Sequence, residues 1–267
     1  MLLYVIINIV FELEVESMNK LITNKEYEIH FYEIDYKRKA LITRIVDFLG
    51  DIAITQSEEI GMGLEYLSRK KLGWVIYKWD ITMIRYPLLN EKITVRTWPS
   101  SFRKFYAYRQ FDILDESGEV IGSANSVWFL IDTLRRKPKS ISNEIYAAYR
   151  ISDETKECVD FGKLKPPLIV DDERNFNVRY SDIDTNKHVN NVKYIAWCLE
   201  TMPLHIVLKY TLHNIKVIYE KETTYGEMIK ASTEVIQEDN NIICLHKIED
   251  KEGKRLTLIK TTWELTA

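Results

Sequence analysis

The sequence predicts an α+β fold built as two related copies, each an antiparallel sheet wrapped round one long helix. Three observations predict it: a strand, helix, meander order that occurs twice, a nearly constant spacing between matching residues of the two runs, and a composition able to bury a core. Of the 267 residues, 46% are hydrophobic and 29% charged, which excludes a disordered chain and a polytopic membrane protein. A chain of this length fits one large unit or two of about 130 residues.

The elements follow in order. Residues 2–11, LLYVIINIVF, are apolar apart from Asn8. A bilayer takes roughly 20 residues to cross, so this stretch is too short to span one. It also lacks the basic flank and cleavage site of a secretory signal. It reads as an added strand or tail, or as sequence ahead of a true start at Met18. Glu26–Ile34 has the β-branched and aromatic content of a strand. Ile42, Ile45, Val46, Leu49, Ile52 and Ala53 then share one face of a long helix that should stop near Gly61-Met62-Gly63. Trp74–Arg85, Lys92–Trp98, Lys104–Leu114 and Val120–Ile131 read as strands, with a turn at Asp115-Glu116-Ser117-Gly118.

The order then recurs. Arg174–Tyr180 is a strand; Val192, Ile195, Ala196, Leu199 and Met202 are helically spaced; strands follow at Ile215–Tyr219, Met228–Gln237, Asn241–Ile248 and Leu256–Leu265. Gly118 and Gly253 are 135 residues apart, as are Trp128 and Trp263, while Glu91 and Glu227 are 136 apart. FYEID and YSDID set Asp35 against Asp184 at an offset of 149, so the first copy carries about 13 extra residues in or after its helix. A strand, a long helix and an antiparallel sheet curled round it is the hot-dog arrangement. The chain therefore reads as a tandem, or double, hot-dog fold, its sheets edge to edge like those of a dimer. The expected units are 18–140 and 173–267. Residues 141–172 link them, with a short helix near Asn143–Tyr149.

Charge and cysteines narrow the function classes. With 37 Lys plus Arg against 40 Asp plus Glu, a net charge of -3 offers no global field for nucleic acid or an anionic membrane. An anionic partner must meet a local patch, and the densest are Ser68-Arg69-Lys70-Lys71 and Arg135-Arg136-Lys137-Pro138-Lys139. Such runs are more often a solvated face. Cys158, Cys198 and Cys244 lie 40 and 46 residues apart, neither a CxxC pair nor a disulfide framework, which suits a reducing cytosol.

Tyr180–Glu200, YSDIDTNKHVNNVKYIAWCLE, carries the chemistry. Asp184, Asn186 and His188 are two apart, so an extended backbone would project all three from one face, with about 7 Å between neighbours. Asn190 or Asn191 can cap the following helix, whose free N–H groups would point to the same place. A plain polar loop with a good cap accounts for the same residues. A metal site lacks a second histidine cluster and would need Asn as a ligand. Cys198 falls within the helix and no GxSxG elbow occurs, so a nucleophilic triad is not indicated.

DIDTNKHVNNVKYIAW resembles the C-terminal half of the acyl-acyl carrier protein (acyl-ACP) thioesterases, bacterial-type members included. The resemblance extends more weakly from about Met18 through LGWVIYKWDI and SGEVIGSANSVWFLID. It places Glu222, within Tyr219-Glu220-Lys221-Glu222-Thr223, on the family's catalytic carboxylate. Thr223 stands where plant members often have cysteine, which removes a cysteine nucleophile there. Between the copies, Asp184, Asn186 and His188 lie opposite Asp35, Lys37 and Lys39, and Glu222 opposite Tyr86, so one half alone has the polar set.

The resemblance implies a hydrolase of lipid metabolism that releases free fatty acid in fatty acid biosynthesis, without cofactor or metal. Its partner is an acyl carrier protein, with no nucleic acid and no integral membrane segment. Glu222 would orient water and His188 share proton transfer. Asn186 and the helix N-terminus at Asn190 and Asn191 would polarise the carbonyl, and Asp184 would either position these groups or attack through a transient anhydride. The first half would hold the acyl chain, with Ile45, Leu49, Ile52 and Met62 as lining residues that core packing explains equally well. Arg69, Lys70, Arg135, Arg136 and Lys137 would meet the acidic carrier. A monomer (pseudo-dimer) or a homodimer is expected. The lack of a Ser- and Arg-rich transit sequence favours a bacterial cytoplasm. An acyl-coenzyme A thioesterase with the same site, or a non-enzymatic acyl-binding hot-dog protein, is the alternative; a hot-dog dehydratase fits the Asn-rich context less well.

Overall fold

A computed structural model describes residues 20–152 and 159–266; the apolar segment 2–11, Met18 and Cys158 lie outside the described residues. The first copy runs β1 (Thr23–Glu28), α1 (Ile42–Glu59), α2 (Leu64–Lys70), β2 (Leu72–Met83), β3 (Lys92–Arg103), β4 (Tyr106–Leu114), β5 (Val120–Asp132) and a short β6 (Lys137–Pro138). After α3 (Asn143–Ala148) the second runs β7 (Asp172–Asn177), α4 (Asn191–Leu199), α5 (Leu204–Lys209), β8 (Tyr210–Tyr219), β9 (Met228–Glu238), β10 (Asn241–Asp250) and β11 (Arg255–Leu265).

The apolar stripe read from the sequence makes α1. Its Ile42, Ile45, Val46, Phe48, Leu49, Ile52 and Ala53 are buried. The helix ends where Gly61 takes a left-handed φ of 72° and its N–H bonds Glu58 O. Emptying the space of Leu49, fully buried, by Leu49→Ala should cost about 2–5 kcal/mol. The predicted strand Glu26–Ile34 is interrupted: β1 ends at Glu28 and Phe31–Glu33 form one 3₁₀ turn. The short helices α2 and α5 were not anticipated.

All strands pair antiparallel, in the order β1-β3-β4-β5-β2-β8-β11-β10-β9-β7, with β6 paired to β5. The second half repeats the first in mirror order, so the two expected sheets join at the β2–β8 seam into one. There Lys78–Thr82 face Ile218–Asn214, and Asp80 binds both Asn214 Nδ2 (2.9 Å) and Lys216 Nζ (2.9 Å). Helices α1 and α4 touch each other, and one apolar core runs through both halves. A second, aromatic-rich cluster of Tyr66, Phe102, Leu130, Ile145 and Tyr149 lies in the first half, where the start of the connecting segment packs.

The residue matches predicted between the copies reappear as matched hydrogen bonds. Trp128 Nε1–H donates to Ser126 Oγ at 2.8 Å, and Trp263 Nε1–H to Thr261 Oγ1 at 2.9 Å. Asp115 and Asp250 each close a turn by accepting from the N–H of the left-handed glycine three residues on, Gly118 (φ 84°) and Gly253 (φ 75°). Each copy also buries a polar network beside its helix. In the first, Arg109 Nη1 donates to Gln56 Oε1 (2.7 Å) and Thr97 Oγ1 (3.1 Å). In the second, His246 bridges Thr233 (2.7 Å) and Thr261 (2.9 Å). Burial drives the His246 imidazole down to about 3, so it is neutral near pH 7.

Candidate active site

The segment Tyr180–Asn190 leads from β7 into α4 and is organised by two carboxylates. Asp182 is fully buried and accepts from Arg179 N at 2.9 Å and Arg179 Nη2 at 3.0 Å. Burial works against its charge, yet Arg179 outweighs it and holds the carboxyl below the usual carboxylate range. Asp184 Oδ1 accepts from Asn186 N (2.8 Å) and, at the long distance of 3.4 Å, from His188 N, while Oδ2 accepts from Asn186 Nδ2 (3.3 Å). Backbone bonds Asp184 N–H to His188 O and Lys187 N–H to Asp184 O complete the loop, with Lys187 left-handed at φ 66°.

The extended backbone expected for Asp184, Asn186 and His188 is therefore replaced by a tight turn. A period-two spacing is equally compatible with an Asp that bonds the N–H groups two and four residues on. The first copy supplies an internal control. Asp35 Oδ1 accepts from Lys39 N at 3.0 Å, Asp35 N–H bonds Lys39 O, and Arg38 is left-handed at φ 62°. The same turn thus forms without Asn186, His188 or Glu222 counterparts. Lys37, opposite Asn186, instead donates to Val207 O at 2.9 Å and ties the two halves together.

Asn190 is the N-cap of α4, accepting from Val192 N at 3.0 Å; Leu41, in the matching place on α1, has no side-chain cap. Asn191 is the first helical residue, and its carbonyl accepts from Tyr219 O–H at 3.0 Å. The segment after β8 comes alongside through Val189 N–H to Thr223 O at 3.0 Å. That contact sets His188 Nε2 3.4 Å from Glu222 Oε2, with both side chains part-exposed, at 21% and 40%. Tyr86, opposite Glu222, is buried with its O–H on Leu212 O at 2.9 Å, so the first copy holds a structural hydroxyl at that place.

Two tyrosines missed in the sequence frame this contact. Tyr194 is buried in α4; its hydroxyl oxygen accepts from Thr223 N at 3.2 Å. Burial first, then the nearby Glu222 and Asp184 carboxylates, push this phenol up. Tyr219 bonds Asn191 as above, so the pair cross-links α4 to the strand end that carries Glu222. A signal existed: at the copy offsets Tyr194 lies opposite Ile45 and Tyr219 opposite Met83, each a phenol where the other half is apolar.

Of the remaining predicted residues, Cys198 is buried and burial alone pushes its thiol up, which suits packing and not attack. Ile45, Leu49 and Ile52 lie in the main core, whereas Met62 packs on the aromatic cluster. The four are divided between two apolar clusters, because the helix carrying the first three ends before Met62. The basic runs do come together: Thr133 N–H bonds Lys71 O at 3.0 Å, so the α2 end with Arg69 and Lys70 adjoins the hairpin with Arg135 and Lys137. Arg136 departs from that run, its Nη2 donating to Glu222 Oε2 at 2.6 Å. Among the described residues no group of three or more His, Cys, Asp or Glu is placed to hold a metal, and no helix is long and apolar enough to cross a membrane.

Known proteins share this architecture. A palmitoyl-acyl carrier protein thioesterase of Arabidopsis thaliana is 26% identical over 91% of this chain, which spans 64% of that relative's length. A structure from Lactobacillus plantarum described as an oleoyl thioesterase is 25% identical and superposes with a TM-score of 0.86 over 93% of this chain and 98% of its own. The 12:0-ACP thioesterase of Umbellularia californica, 23% identical, shares the fold with a TM-score of 0.82 over 92% of this chain and 95% of its own. Residues 20–149 match the acyl-ACP thioesterase N-terminal domain and residues 167–265 the acyl-ACP thioesterase C-terminal domain. With one repeat matched by each domain, the chain belongs to the acyl-ACP thioesterase family.

Proposed function

We propose that this chain hydrolyses the thioester of fatty acyl-acyl carrier protein, releasing free fatty acid and the carrier's thiol in fatty acid biosynthesis. The observation that carries the reading is the approach of Glu222 to His188 beside a capped helix start, in one copy only. Glu222 orients a water and takes its proton as the oxygen bonds the acyl carbon. The charge that develops on the carbonyl oxygen meets the Asn186 amide and the Asn191 N–H at the start of α4, since Asn190 already accepts from Val192 N and Lys193 N; one such donor typically supplies about 2.7–4 kcal/mol. The carbon–sulfur bond then breaks, and Glu222 returns the proton it took from water, through His188, to the departing thiolate. Asp184 holds the loop in which Asn186 and His188 sit.

The acyl chain is assigned to the first half, along α1 and the aromatic cluster. The acidic carrier is assigned to the basic rim of Arg69, Lys70, Arg135 and Lys137, with Arg136 at the site itself. The two hot-dog units are the functional modules, and since the β2–β8 seam already supplies a dimer-like pairing, a monomer is the expected state. The free cysteines Cys198 and Cys244 fit a reducing cytoplasm.

The test is turnover of an acyl-ACP panel by wild type, Glu222→Gln and His188→Ala, each checked for folding. Either loss should lower kcat by about 10²–10⁴-fold. Near-normal turnover in both variants refutes the site, and preference for acyl-coenzyme A over the carrier substrate refutes the carrier assignment.

A further inference from the structure

We propose that Arg136, contributed by the first half, is a positioning residue that holds the Glu222 carboxylate in register with His188. The proposal rests on the reading of Glu222 as the water-orienting base. Arg136 and Glu222 are 86 residues apart, one in the β5–β6 turn and the other just beyond β8, yet Nη2 and Oε2 lie 2.6 Å apart. Glu222 itself sits outside the strand ladder. Its neighbours are pinned, with Glu220 N–H and Lys221 N–H on Leu256 O and Thr223 N–H on Tyr194 Oη, but its side chain must be fixed by what meets the carboxylate. Among the described residues both such contacts, Arg136 and His188, fall on Oε2.

The turn aims the guanidinium. Asp132 Oδ1 accepts from Leu134 N (3.0 Å) and Arg135 N (2.8 Å), β6 pairs Lys137 with Asp132, and Lys139 N–H bonds Leu130 O (2.8 Å). Within that clamp Arg136 takes a left-handed φ of 51°, a backbone that residues with a side chain adopt reluctantly. The contact does not repay this as stability. With the side chains 65% and 40% exposed, the pair is the kind that contributes little to folding. Its effect is on where the carboxylate points, since an arginine fixed at one end removes rotamers that a glutamate otherwise explores.

The test uses a carrier-free substrate, a fatty acyl-N-acetylcysteamine thioester, so that docking has no part in the result. Arg136→Gln should lower kcat about tenfold with KM unchanged, and Arg136→Lys should recover part of the loss. In a cycle with Glu222→Gln, the double variant should be no slower than Glu222→Gln alone, because the arginine acts through that carboxylate. Independent, multiplying losses overturn the proposal, as does an unchanged or raised kcat in Arg136→Gln. A defect confined to KM for the carrier-linked substrate also overturns it and leaves Arg136 to docking. If Glu222→Gln turns over normally, or wild type hydrolyses no thioester, the functional reading fails and takes this assignment with it.

Discussion

Replacing Asp184 by asparagine separates the two roles open to this carboxylate. As loop organiser, its main bond is the 2.8 Å contact from Asn186 N, because the 3.4 Å contact from His188 N is too long to add much. A hydrogen bond to a charged group contributes about 1.5–3 kcal/mol, and an exposed loop belongs at the lower end. Asp184→Ala should then displace Asn186 and His188 and cost about 1.5 kcal/mol, or roughly tenfold in rate. Asp184→Asn keeps an acceptor oxygen at about half the strength, so the loss falls to roughly threefold. A nucleophile behaves differently: its removal costs about 10⁴-fold or more. The assay is kcat on saturating acyl-ACP for both variants, beside Asp35→Asn and Asp35→Ala, which break the matching turn away from the site. The Asp35 variants should lower the melting temperature and spare turnover. An Asp184→Asn enzyme that is folded but dead refutes the organiser role and installs Asp184 as the attacking group.

Three further outcomes follow. His246 is lowered from 6.5 to about 3 in the folded chain, so its contribution is intact above 6.5 and lost as pH falls toward 3. At about pH 4.5 wild type should have lost roughly 3 kcal/mol through this group, and His246→Gln should show a shallower decline in urea titrations; parallel profiles would discard the buried-neutral assignment. Tyr194→Phe removes the acceptor for Thr223 N and should lower kcat by about fivefold to thirtyfold, the rate equivalent of about 1–2 kcal/mol, with little change in KM; normal kinetics would remove Tyr194 from the positioning frame. Reversing charge at Arg135 and Lys137 should raise KM for the carrier substrate alone, read by comparison with a small thioester. An equal KM for both proteins would dismiss that face.

The repeat was legible because its markers are geometric necessities. Gly118 and Gly253 must turn left-handed, and Trp128 and Trp263, half-buried and buried, need an acceptor for their indole N–H. The long α1 stripe was equally plain. Helices α2 and α5 were not, since seven and six residues are too few for periodicity to separate them from loop. At the site, Asn190 as cap and the nearness of His188 to Glu222 came through the motif and the family resemblance. The turn conformation did not, because alternate spacing of Asp184, Asn186 and His188 suits both a strand and an Asx-type loop. Arg136 looked like one cation among several; only its left-handed turn and the seam that joins the halves bring it to a carboxylate 86 residues away.

The mirrored strand order has a consequence for how such a molecule can change. In a pair of identical subunits every substitution is imposed on both pockets at once, so neither can be given up. Tethering the repeats lifts that restriction: Lys39 and Tyr86 can stand where His188 and Glu222 stand in the sister repeat, and the idle corner can be spent on a staple such as Lys37 to Val207. On the proposed function a polypeptide arranged this way processes a single ester at a time, and a tight inhibitor should saturate it at one molecule per chain.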